Sequence, residues 1–376
     1  MDALRRHLLA GQVIPAHPLA LTAARAIDET RQRSLTRYYI DAGAGGIAVG
    51  VHTTQFAIRS HGMLRDVLTL AVDTARAWLD APGATERATE RASERASERR
   101  PFALVAGVTG AREQALGEAD LARSLGYDAV LLSLGGLGDA DDDALIDHCR
   151  AVTEVMPVIG FYLQPAVGGR VLGANFWRRF AELAGVVAIK VAPFNRYQTL
   201  DVVRAVVEAG RDDVALYTGN DDNIVADLLT PFSFPRDGTV VTRHFAGGLL
   251  GQWAVWTHAA VGMLAELRAL RAVDDASDVG DAQALRARRI AGWLAHGVAL
   301  TDANAAIFDA ANGFAGCIAG IHEVLRRHAL LAGTWCLDPA EGLSPGQSDA
   351  IDRVWRAYPE LRDDAFVADG LGRWLR

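Results

Sequence analysis

Gly185-Val-Val-Ala-Ile-Lys-Val-Ala-Pro193 holds Lys190, the only lysine in a chain of 376 residues. Lys and Arg together number 38, so every other member of that pair is an arginine. Arg keeps its proton near neutral pH, whereas Lys loses it once desolvated. A chain that uses Arg everywhere else and keeps one Lys marks that position as needing an amine that can be neutral. The run around it is apolar, β-branched and bounded by Gly and Pro, which predicts a buried strand. Strand alternation sets Val187, Ile189 and Val191 on one face and Ala188, Lys190 and Ala192 on the other. The lysine face is otherwise methyl groups, which leaves room beside the amine. An apolar wall disfavours the ammonium and lowers its pKa. A neutral amine adds to carbonyls and forms a Schiff base. The competing reading is a structural lysine whose head meets a carboxylate, a role that Arg would fill as well.

Outward from this strand, short apolar runs alternate with helix-length spacers. Strands are predicted at 12–17, 46–51, 102–107, 128–133, 157–162, 186–192, 214–217 and 238–242. Eight strands with such spacers predict an α/β fold, a (β/α)8 TIM barrel. A doubly wound sheet would carry a glycine fingerprint after its first strand, and Pro15-Ala-His-Pro18 is not one. Beyond about Gly251 the strand signals stop and helical patterns follow. We therefore expect a barrel over 1–262 and a C-terminal helical extension over 263–376, packed on the barrel or at an oligomer interface. The repeat of Ala-Thr-Glu-Arg and Ala-Ser-Glu-Arg at 84–100 lacks large apolar residues and reads as a polar surface insertion.

A net charge of −8 argues against nucleic acid and against anionic membrane surfaces as partners. Cys149, Cys317 and Cys336 show neither zinc spacing nor a disulfide framework, and point to a reducing, cytoplasmic location. The N-terminus lacks a signal-type apolar core, and no apolar run is long enough to cross a bilayer.

Barrel active sites lie at the C-terminal strand ends. Tyr162 falls there, one strand from Lys190, sharing a strand face with Val158 and Gly160; its phenol would move protons during Schiff-base formation. Thr53 and Thr54, with nearby backbone N–H groups, would hold a carboxylate through neutral donors. His52, Gln164, Asn220, Asp221 and His244 would read the rest of a substrate, although Asn220-Asp221-Asp222 could equally cap a helix. A second class is a metal-dependent aldolase or hydrolase, since the imidazoles of His17, His52 and His244 with Asp221 suit zinc. A third is a ligand-binding barrel without turnover.

These motifs, in this order, resemble the dihydrodipicolinate synthase and N-acetylneuraminate lyase superfamily of class I aldolases over roughly Val13 to Val261. Gly-Val-Val-Ala-Ile-Lys190 resembles the family's sixth-strand lysine segment, and Gly160-Phe-Tyr162-Leu-Gln-Pro165 its fifth-strand Tyr-Asn-x-Pro. Gly50-Val-His-Thr-Thr54 is similar to its Gly-Thr-Thr-Gly-Glu, and Tyr217-Thr-Gly-Asn-Asp-Asp222 to its Ser-Gly-Asp-Asp. The resemblance implies a barrel with a helical tail, usually a homotetramer, so that a homo-oligomer (dimer or tetramer) is expected, and a Schiff base between Lys190 and a small 2-oxo acid, with no metal or other cofactor. It implies Tyr162 as the proton relay and Thr53 and Thr54 at the substrate carboxylate. Val167 stands where the synthase has an arginine, and Leu134-Gly-Gly-Leu137 lacks its relay tyrosines. The expectation is therefore a sister aldolase or dehydratase.

Overall fold

The computed structural model describes residues 1–81, 101–138, 140–272 and 281–376. The repeat at 84–100 lies outside the described residues, as do residues 273–280.

The barrel strands are β1 (Val13–Pro15), β2 (Gly46–Val49), β3 (Ala103–Val108), β4 (Ala129–Ser133), β5 (Val158–Leu163), β6 (Val186–Ala192) and β7 (Ala215–Thr218), completed by β10 (Gly247–Leu250). They run parallel in the order β1-β10-β7-β6-β5-β4-β3-β2. The ring closes where the His17 N–H donates to the Ala48 carbonyl at 2.8 Å, beside the Ala16 to Ala48 bridge. All their residues are buried on both faces, as a parallel sheet inside a helical coat requires. One set of side chains, including Ile14, Val105, Leu131, Ile159, Phe161 and Leu249, fills the barrel interior. The opposite set packs against the outer helices.

The predicted eighth strand at 238–242 is corrected. β8 (Phe232–Arg236) and β9 (Thr239–Arg243) pair only with each other, as an antiparallel hairpin outside the barrel. Asp237 and Gly238 both have positive φ, 51° and 77°, as a two-residue hairpin turn demands. Val240 is 72% exposed, so the β-branched run that marked this strand faces solvent. The true eighth strand reads Gly-Gly-Leu-Leu and has weak β-propensity. Its Gly247 is required by close approach, since a Cβ there would lie 2.2 Å from the Gln12 carbonyl oxygen.

Helix α1 (Asp2–Leu9) stoppers the N-terminal end of the barrel. Leu8 packs with the interior side chains, and its carbonyl accepts the Tyr217 hydroxyl at 2.8 Å. The C-terminal end is left for the site.

The outer coat includes α2 (Glu29–Ala42), α3 (Leu64–Asp80), α4 (Arg112–Leu125), α5 (Asp142–Val155), α6 (Ala174–Glu182), α7 (Arg196–Glu208) and α8 (Ile224–Leu229). The tail follows as α9 (Thr257–Ala272), α10 (Asp281–Ile307), α11 (Cys317–Arg327), α12 (Gln347–Ala357) and α13 (Asp364–Trp374). The expected boundary at 262/263 falls inside α9, which runs through it unbroken. The tail shares one core with the barrel coat: Ile307, Ile321, Val354 and Trp374 cluster with Leu35 and Tyr39 of α2.

Asp363 fastens this junction. Its buried carboxylate accepts the His258 and Ala259 N–H groups at 2.7 and 2.9 Å, in the first turn of α9, and the Tyr38 hydroxyl of α2 at 2.7 Å. Replacing it with Ala strands three donors at once, one buried and two part-buried, and a buried donor left unpaired costs about 1–3 kcal/mol. Denaturant unfolding of Asp363→Ala is expected to show a loss of at least about 3 kcal/mol, with a smaller loss for Asp363→Asn, which keeps one acceptor oxygen.

Candidate active site

Lys190 lies on the interior face of β6 with Ala188 and Ala192, as alternation predicts, while Ile189 and Val191 face the helices. Val187 departs from that pattern. Val158 pairs with Val186 but Ile159 pairs with Ala188, so the irregularity turns Val187 inward as well.

The same register sets Phe161 beside Lys190 across β5 and β6. The Lys190 Nζ is 4.2 Å from the Phe161 ring centroid. Tyr162 is therefore one residue out of phase with the site. It faces the helix layer, its ring 5.1 Å from Trp177 of α6 and its hydroxyl accepting the Leu172 N–H at 3.2 Å. Gly160 faces the same way, where a Cβ would meet Phe180 at 2.5 Å. The expected Lys190–Tyr162 partnership is thus corrected: the two share the sheet but stand on opposite faces.

The acidic group that shares the cavity with Lys190 is Asp221, in the turn between β7 and α8, although no ion pair within 4 Å joins the two. Both are buried and line one cavity of about 50 Å³ at the C-terminal strand ends. Burial pulls the amine below the ordinary lysine range, and the Asp221 charge pulls it partly back. Burial pushes the Asp221 carboxyl up, with the Gln252 N–H and Lys190 opposing. Asp221 Oδ1 accepts that N–H at 3.0 Å, and the Asp221 carbonyl accepts the Asn304 side-chain amide of α10 at 2.7 Å.

The turn that carries Asp221 is built from behind by Asn220, whose amide donates to Thr199 Oγ1 at 3.1 Å and Asp227 Oδ2 at 2.9 Å. Its oxygen accepts the N–H of Phe194, which sits at φ 50°. Asn220 is thus a positioning residue, and its expected contact with substrate is corrected. Gly219 in the same turn faces the lysine, and a Cβ there would lie 2.8 Å from Lys190 Cε.

Among the other expected residues, His52, Thr53 and Gln164 also line the cavity. Burial and the nearby Lys190 charge hold the His52 imidazole down at about 4, so it is neutral at pH 7. Thr53 donates its hydroxyl to the Ala16 carbonyl at 2.8 Å and Thr54 to the His17 carbonyl at 2.7 Å. Thr54 also accepts the Gly50 and Val51 N–H groups, so its place is inside the loop and not in the cavity wall. The expected donation of both hydroxyls to a carboxylate is corrected, because each hydroxyl has a single hydrogen and that hydrogen is already engaged.

The three strand-end histidines do not converge. His17 is buried toward α2, hydrogen-bonded to Thr36 Oγ1 at 2.9 Å and edge-on to Tyr39. His244 precedes β10 and lies at the foot of the barrel, in a groove with Arg243, Arg268 and Arg271. Its expected place at the site rests on the 238–242 segment being a barrel strand, whereas that segment belongs to the outer hairpin. Among the described residues no group of three or more His, Cys, Asp or Glu is arranged to hold a metal ion.

The rest of the wall escaped the sequence reading. Phe194 follows β6, and Phe308, Phe314, Cys317 and Ile321 reach over from the tail. Phe314 sits 5.8 Å from Phe194, ring edge to face. Nothing in local periodicity assigns tail aromatics to a barrel mouth.

No protein-family model matches the chain. A curated 4-hydroxy-tetrahydrodipicolinate synthase from Acaryochloris marina is 30% identical over 141 residues, 36% of this chain and 45% of that protein. The chain thus spans less than half the length of the curated relative it matches. Among solved structures, dihydrodipicolinate synthase from Oceanobacillus iheyensis superposes with a TM-score of 0.67 at 18% identity, over 95% of this chain and 98% of that one. N-acetylneuraminate lyase from Fusobacterium nucleatum superposes with a TM-score of 0.66 at 16% identity, over 93% of this chain and 99% of that one.

The steric demand at Gly219 is directly testable. Gly219→Ala presses a methyl group on the Lys190 stem, and overpacking of this kind costs about 1–3 kcal/mol. The variant is expected to fold with a lowered melting temperature and to lose roughly tenfold or more of the reactivity of Lys190 toward amine reagents, as read by mass spectrometry of its peptide.

Proposed function

Because the chain carries the fold of the dihydrodipicolinate synthase and N-acetylneuraminate lyase superfamily, we propose that it is a Schiff-base-forming lyase, an aldolase or dehydratase, acting on a small 2-oxo acid. The observation that carries this reading is a lone lysine, 7% exposed as a residue, whose side chain lines a largely apolar cavity at the C-terminal mouth of the barrel. A desolvated amine is neutral at a lower pH than lysine in water and can attack the keto carbon. The iminium that forms is an electron sink, which makes bond cleavage or elimination next to it feasible. A solved prophage protein of the dihydrodipicolinic acid synthase family from E. coli K12, 16% identical to this chain, was obtained in complex with pyruvate.

The cavity sets the size and polarity of the substrate. A water needs about 10–15 Å³ of such space, so about 50 Å³ admits a few atoms beyond the reacting centre. Phe161, Leu163, Phe194, Phe308, Phe314 and Ile321 supply apolar walls. With the threonine hydroxyls engaged, the Gln164 amide and the neutral His52 imidazole are the side-chain donors that remain for the 2-oxo acid carboxylate. No arginine lines the cavity among the described residues. A second carboxylate would be left uncompensated there, at a cost of several kcal/mol. The site therefore favours 2-oxo monocarboxylates with an apolar substituent over dicarboxylates.

Borohydride reduction with pyruvate is expected to place a stable adduct on the Lys190 peptide and none in Lys190→Arg. The chain's terminal amine serves as control. Oxaloacetate and 2-oxoglutarate are expected to trap at least tenfold less. Trapping falls as pH is lowered, because the ammonium cannot attack. With the amine's pKa lowered in the folded protein, half-maximal trapping should lie below the ordinary lysine value of about 10.4. No adduct with any 2-oxo acid on folded protein overturns the reading.

A further inference from the structure

We infer that Asp221, and not Tyr162, is the acid–base group that moves protons at the Lys190 amine. The inference rests on the Schiff-base reading and adds the identity of its proton carrier.

Three observations carry it. First, the register of β5 sets Phe161 beside Lys190, and a phenyl ring carries no proton. Second, the Tyr162 hydroxyl lies on the far side of the sheet, accepting the Leu172 N–H. Third, the Asp221 carboxyl is buried in the same cavity as the amine, and one of its oxygens is held in place. Oδ1 takes the Gln252 N–H and the backbone carbonyl takes Asn304, which leaves Oδ2 to carry a proton. Oδ2 lies near Gly251, which also lines the cavity, and a Cβ there would be in ordinary contact with it at 3.8 Å. The titratable groups around Asp221 are Lys190 on β6, Cys317 at the start of α11 and the adjacent Asp222, with His52 beyond the lysine. Burial leaves His52 and Cys317 neutral at pH 7, and Asp222 does not line the cavity, so Asp221 is the carboxyl of this set that shares the cavity with the amine.

The steps balance with one proton on Asp221. The Lys190 amine adds to the keto carbon, and the carbonyl π pair moves to oxygen. The carboxylic acid protonates that oxygen, and the carboxylate then takes a proton from the nitrogen, giving a neutral carbinolamine. The acid returns its proton to the hydroxyl, water leaves, and the nitrogen lone pair forms the iminium with Asp221 as its carboxylate counter-ion. That carboxylate next takes a proton from the carbon beside the iminium, giving the enamine and restoring the acid. The Asp221 proton ends where it began.

The test uses the full chain with pyruvate in D2O. Exchange of the methyl protons is followed by NMR, and borohydride trapping at Lys190 is followed by mass spectrometry. Asp221→Asn keeps the Oδ1 acceptor for Gln252, and thermal melting checks its fold. It is expected to retain a trapped adduct while exchange falls about 10²-fold or more, the usual contribution of a positioned acid–base group. Tyr162→Phe is expected to exchange within about threefold of the parent protein. Exchange at the parent rate in Asp221→Asn, or its collapse in Tyr162→Phe, overturns the assignment. Absence of any adduct in the parent protein instead removes the Schiff-base reading itself, so the two failures are distinct. Should Asp221→Asn fail to fold, Asp221→Glu decides: retained trapping with exchange changed less than threefold contradicts a carboxyl that must be held in position, and a tenfold or greater loss supports it.

Discussion

A buried amine and a buried carboxyl in one cavity are the constraint on which the rest of this structure depends. Lys190 and Asp221 can be charged together or neutral together, and the two arrangements differ only in where one proton sits. In water the charged arrangement wins by about 6–7 pKa units. Taking both groups out of water penalises the charged arrangement while leaving the neutral one nearly untouched. Burial therefore moves both pKa values toward each other. The direction of both shifts favours a neutral amine and a protonated carboxyl closer to neutral pH than either group shows in water.

Much of the fold serves that burial. Helix α1 closes the foot, with Leu8 packed among the interior side chains. Gly219 leaves the space that the lysine stem fills. The tail aromatics Phe308 and Phe314 narrow the mouth, and Asp363 ties that tail to α2 and α9. A tail that reads as an appendage in sequence is thus part of the dielectric environment of the site.

The sequence was most informative where physics acts over a few residues. The uniqueness of Lys190, its strand and its inward face were all legible, because composition and period-2 alternation are local signals. Tyr162 misled for an equally local reason. Phe161 and Tyr162 are adjacent aromatics, and which of them faces inward depends on the register with β6, a non-local property. Motif spacing from Pro165 selects Tyr162, whereas strand pairing selects Phe161. The eighth strand was misplaced because an exposed hairpin carried better β-formers than the Gly-Gly-Leu-Leu that closes the barrel. Thr53 lines the cavity and Thr54 does not, and the engagement of both hydroxyls depends on carbonyls some 37 residues earlier in the chain.

The central claim is that the Lys190 amine is poised to be neutral. A chain with one lysine makes this measurable without assignment, since selective 13C labelling of the lysine ε-carbon gives a single side-chain resonance. The account predicts that this resonance titrates clearly below the ordinary lysine value of about 10.4, and lower still in Asp221→Asn, where the charge that supports the ammonium is removed. A resonance that titrates at or above that ordinary value would contradict the account.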